Sequence, residues 1–139
     1  MSVAISVFNR AQEQAMAGQP AIGGFPYLAE TLHAAGVLLN EWSLPSCQGM
    51  YITAAGPVMM QGTPLVAGIV DIPSFDEEAL IHAIREDQAG RATFSEFLNA
   101  IWKAGVIRYV VDFSARQIVY QGCFGDEYEE TYPAVTISQ

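Results

Sequence analysis

Residues 25–44 and 94–113 align without a gap at an offset of 69 residues, and this internal echo limits what the chain can fold into more than any other feature. Phe25 matches Phe94, Leu28 matches Phe97, Leu32 matches Ile101, and Ala35-Gly36-Val37 matches Ala104-Gly105-Val106. Each half therefore contains an apolar helix, a glycine stop and a strand. Glycine enters the left-handed conformation that ends such a helix without steric cost, so the chain turns back and the helix lies over the strand it feeds. Two copies are too few for a solenoid. Duplication and the commonness of helix-to-strand hairpins both account for the echo.

The flanking segments extend this into an α+β domain. Ala4, Val7, Phe8, Ala11 and Ala15 share one side of a helix over 3–17, which Gly18 and Pro20 end. A second helix starts near Phe25-Pro26 and stops at Gly36. Short apolar segments divided by Gly and Pro follow at 37–44, 50–54, 58–61 and 65–72, most simply joined as an antiparallel meander. Ser74, followed by Asp76, Glu77 and Glu78, marks the start of a third helix with Leu80, Ile81, Ala83 and Ile84 inward, ending by Gly90. Thr93 and Glu96 form a capping box for a fourth helix that stops at Gly105. Strands at 106–113 and 117–124 join through Ser114-Ala115-Arg116, and a tail strand follows Gly125-Asp126. The expectation is one domain over 1–139: a mainly antiparallel sheet of about five strands with about four helices, containing two helix-Gly-Val-strand units.

Charge excludes several functions. Six Lys and Arg against 15 Asp and Glu give −9, and the six cations are scattered, so neither nucleic acid nor an anionic membrane surface is an expected partner. Residues 42–70 carry no charge, but Pro45, Gly49, Pro57, Gly62, Pro64 and Gly68 interrupt them too often for a membrane helix, and buried strands are expected instead. The N-terminus lacks the basic region of an export signal, which points to the cytoplasm. Cys47 and Cys123 have no zinc-ligand spacing and are expected reduced, with Cys123 in a strand.

Chemistry has few places to reside. Glu78, His82 and Glu86 recur at i, i+4 and share a helix face that could hold a divalent ion; a solvated face is favoured because metal sites recruit ligands from more than one element. His33, at the position echoed by Trp102, reads as a packing histidine rather than a general base. Cys47 has no local base to make it a nucleophile. The acidic run 126–130 lacks the pattern of a calcium loop, and Gly23-Gly24, Gly56, Gly62 and Gly68 do not make a phosphate-binding loop. No catalytic residue and no cofactor are expected.

The segments Phe25-Pro-Tyr-Leu, Ala35-Gly-Val, Gln88-Ala-Gly, 94–97 and Ala104-Gly-Val-Ile-Arg-Tyr-Val-Val-Asp112 resemble the YdfO-like or YbcV-like group of small bacterial proteins, often labelled phage envelope or prophage proteins. The resemblance covers about 25–133. It implies a compact α+β fold and no activity. The favoured expectation is a non-catalytic accessory module that contacts itself, as a homodimer, or an unknown protein partner. The alternative is a small-molecule-binding protein or enzyme with a pocket between sheet and helices, lined by Trp42, Tyr51, Trp102 and Tyr109, with His33 or Cys47 as its polar element.

Overall fold

The computed structural model describes residues 2–20 and 24–137; Gly23 of the glycine pair lies outside the described residues. Helix α1 (Val3–Gly18) begins at Ser2, whose hydroxyl accepts the Ile5 N–H, and it buries Ala4, Phe8, Ala11 and Ala15. Helix α2 (Gly24–Ala34) follows, and Gly36 at φ 97° turns the chain into strand β1 (Val37–Ser43). Strands β2 (Gln48–Thr53) and β3 (Gly56–Gln61) complete the first half. The second half repeats the order with α3 (Glu77–Gln88), α4 (Phe94–Lys103), β4 (Arg108–Asp112), β5 (Gln117–Gln121) and β6 (Glu127–Thr131). All six strands pair antiparallel in the order β3-β2-β1-β4-β5-β6, giving a single-domain α+β fold with one strand more than expected.

The echo visible over 20 residues extends over nearly the whole chain. Residues with positive φ recur at the same 69-residue offset: Gly36 and Gly105 after the helices, Cys47 and Arg116 in the β1–β2 and β4–β5 turns, Gly56 at the start of β3 and Gly125 just before β6. The two halves meet where β1 pairs β4. There Glu41 opposes Val110, a pair itself separated by 69 residues, so a local two-fold axis crosses the sheet at that pair. The helices pack as two hairpin pairs, α1 with α2 and α3 with α4, which do not pack closely on each other. Gly105 is required twice over: its φ is 87°, and a Cβ there would lie 2.5 Å from the Ser74 carbonyl oxygen, where the chain entering α3 crosses the end of α4.

Alternation puts Asn40, Trp42, Tyr51, Tyr109, Val111, Ile118 and Tyr120 on the buried face of the sheet. Leu39, Met50, Ile52 and Met59 stand on the opposite, exposed face. Three expectations are corrected. Residues 65–72 form no strand: Pro64, Gly68 and Pro73 break the run, and Ile69, Val70 and Ile72 are exposed. The α3 cap is Asp76, not Ser74, because the Asp76 carboxylate accepts the Ala79 N–H while its own N–H donates to the Ala104 carbonyl. Strand β5 ends at Gln121, which leaves Cys123 and Phe124 exposed in the turn before β6.

Candidate binding cavity

Cross-strand register lines up one row of large rings. Trp42 on β1 opposes Tyr109 on β4, which opposes Tyr120 on β5. Trp42 and Tyr109 stack at 12° with centroids 6.4 Å apart, and Tyr109 tilts against Tyr120 at 5.8 Å. On the other side of Trp42 the register places Gly49, where a Cβ would come within 2.7 Å of the indole, so the missing side chain is what lets the ring lie across β2. Phe94, from the first turn of α4, meets Trp42 edge-on at 5.5 Å.

Above this row the two helix pairs part, and the space between them and the sheet is a cavity of about 780 Å³. That is large for a domain of this size, whose interior packs with few voids bigger than a water, and it falls in the range of small-molecule sites. Both halves line it through equivalent positions: Tyr51 with Tyr120, Phe25 with Phe94, Leu28 with Phe97, and Gln19 with Gln88. Exposed Met16 and Phe94 mark the mouth.

Beyond the shared glutamines and tyrosines, further polar groups of the lining arise where the halves differ. Trp42 corresponds to Val111, Asn40 to Tyr109, and Asp87 to Gly18. The Trp42 indole N–H, on a residue only 4% exposed, has no hydrogen-bond partner among the described residues. Leaving such a donor unpaired costs about 1–3 kcal/mol. Asn40 donates its amide to the Met50 carbonyl at 3.1 Å. Burial raises the hydroxyl of Tyr51 to about 12 and those of Tyr109 and Tyr120 well above their ordinary range, so all three stay protonated donors in neutral solution.

Two carboxylates reach the lining. Glu130 is neutralised by Arg85 at 2.8 Å and by the Tyr128 hydroxyl at 2.8 Å. Asp87 has neither a counter-ion nor a hydrogen-bond donor for its carboxylate among the described residues, and burial pushes its pKa up. Among the described residues no Lys, Arg or His contributes to the lining.

No family model matches the chain. It is 49% identical over 135 residues, 97% of this chain and 82% of theirs, to the uncharacterised proteins Rv2012 of Mycobacterium tuberculosis and Mb2035 of Mycobacterium bovis. The chain belongs to this family of uncharacterised mycobacterial proteins. These relatives span nearly all of the fold described above and carry no stated activity.

Of the residues singled out in the sequence, Trp42, Tyr51 and Tyr109 come together in the cavity. Trp102 is buried in the core on α4 but does not line it, and half-buried His33, near the end of α2, does not either. Cys47 sits buried in the β1–β2 turn, outside the lining, with its thiol donating to the Leu44 carbonyl; burial raises its pKa and keeps it a poor nucleophile. Glu78 and His82 stand exposed on α3, and Glu86 gives both oxygens to Arg91 at 2.7 and 3.1 Å. Among the described residues no three His, Cys, Asp or Glu side chains converge as a metal site. Asp87 and Tyr120 are the functional candidates that residue-by-residue reading misses, and both left a signal. Asp87 falls on the inward stripe of α3 with Leu80, Ala83 and Ile84, where an acid is out of place, and Tyr120 is the echo of Tyr51.

Proposed function

We propose that the chain is a small-molecule-binding protein that takes an apolar or aromatic ligand between its sheet and its two helix pairs. One observation carries this: a cavity of about 780 Å³ with aromatic walls holds a buried indole N–H that no group among the described residues satisfies. A lining that is mostly apolar with a few placed polar groups suits a site that binds and orients. A nucleophile or a general base beside the cavity has no candidate in Cys47 or His33, so the reading is of a binder rather than a catalyst.

Titration with the neutral dye N-phenylnaphthylamine tests it. One equivalent should bind with enhanced dye emission, and Leu28→Trp, which fills the cavity from α2, should weaken binding by about tenfold or more. Absence of saturable binding, or binding indifferent to Leu28→Trp, overturns the reading.

The exposed face with Leu39, Met50, Ile52 and Met59 supports a second, compatible reading, self-association as a homodimer through the sheet. A sedimentation mass of one chain at every concentration removes it. The cytoplasmic setting and the affiliation with the prophage-associated YdfO-like group belong to the same proposal, supported by the composition and by the segments that resemble that group. No helix among the described residues is long and apolar enough to cross a membrane.

A further inference from the structure

Resting on the cavity as a ligand site, we infer that its ligand is an organic cation, an amine or quaternary ammonium on an aromatic or branched apolar body, with its charge held between the Asp87 carboxylate and the ring faces of the Trp42–Tyr109–Tyr120 row. The charge census of the lining supplies the sign. Among the described residues it contains two carboxylates and no basic side chain, so an anionic ligand would enter against uncompensated negative charge. Glu130 is already answered by Arg85 and Tyr128, whereas Asp87 is not answered by any group of the described protein. Ring faces carry the negative side of the aromatic quadrupole and attract a cation placed within about 6 Å, more strongly once water is excluded. The Trp42 N–H and the tyrosine hydroxyls then remain to donate to an oxygen or nitrogen on the same ligand. The inference also follows the broken symmetry: where α3 carries Asp87, the corresponding end of α1 carries Gly18, so only one side of a nearly two-fold cavity is charged this way, and the ligand has one preferred orientation.

Tetraphenylphosphonium and tetraphenylborate, ions of nearly the same shape and opposite charge, test the sign by calorimetric titration of the full chain in about 0.15 M salt, which screens charges more than about 8 Å away. The cation should bind at least about tenfold more tightly than the anion. Asp87→Asn should erase most of that preference, and Glu78→Gln, an equal charge change on the exposed face of the same helix, should leave both the preference and N-phenylnaphthylamine binding intact. Equal or tighter binding of the anion overturns the inference, as does an Asp87→Asn protein that still prefers the cation, or a loss of preference shared by Glu78→Gln. If N-phenylnaphthylamine binds and the ions show no preference, the charge assignment fails alone. If neither ion nor the dye binds, the cavity reading fails and takes this inference with it.

Discussion

An unpaired, partly buried carboxylate is a cost the fold carries without return unless something answers it, and Asp87 is such a group. Its folded pKa lies above the ordinary 3.8 because burial disfavours the charged form. The sign follows from linkage: the folded state holds the proton more tightly than the unfolded state, so the penalty is fully present above the folded value and disappears below the unfolded one. Asp87→Asn should therefore stabilise the empty protein at pH 7, by up to about 1 kcal/mol once solvent screening of a half-exposed group is allowed for. The gain over the parent protein should shrink as pH falls towards 4. Paired thermal melts at the two pH values check this; a variant less stable than its parent at pH 7 shows that Asp87 has a protein partner after all. A stabilising substitution that removes the preference for a cation is the mark of a residue kept for function. In the sequence Asp87 was legible only as an interruption of a stripe, because a single acid on an apolar face looks the same whether it is paired inside or left facing a cavity.

At the scale of elements, the strongest local rules survived contact with the structure. The Thr93 and Glu96 capping box forms with both hydrogen bonds, Gly36 and Gly105 take the left-handed turns, and the three-stranded meander follows the Gly and Pro spacing. Residues 65–72 show where such rules stop. The run is as apolar as a strand, but β3 is the edge of the sheet, and the chain instead leaves it through the hydrogen bond from the Leu65 N–H to the Pro45 carbonyl. Nothing local distinguishes an apolar strand from an apolar connection. Gly49 teaches the converse, since it reads as a break and sits inside β2, where its purpose is across the ladder rather than along the chain. Gly49→Ala should push the Trp42 indole out of its place, costing about 1–3 kcal/mol of stability and shifting Trp42 emission in a Trp102→Phe background. An unchanged spectrum and melting temperature show that the indole does not depend on that gap.

The whole molecule is two similar αα-βββ halves joined through β1 and β4, and its cavity is the seam between them. Symmetry supplies the walls, in pairs such as Tyr51 with Tyr120, and departures from symmetry supply the Trp42 indole, Asn40 and Asp87. This is why the rough outline of the site was legible and its chemistry was not. Apolar and aromatic residues announce themselves by spacing, and three of the four expected lining residues, Trp42, Tyr51 and Tyr109, stand at the cavity. Which ones face the seam depends on tertiary placement: Trp102 is buried in the core on α4, Cys47 sits in the β1–β2 turn, and His33 lies outside the lining although its neighbour Leu32 is part of it. The chain has two tryptophans, one in the cavity and one in the core, which allows a direct reading of occupancy. In proton–nitrogen correlation spectra of the labelled protein, saturation with N-phenylnaphthylamine should move the Trp42 indole N–H peak strongly and leave that of Trp102 nearly in place. A spectrum in which neither indole moves while backbone amides of the outer sheet face around Met50 and Met59 do would put the ligand outside the cavity and refute the seam as the binding site.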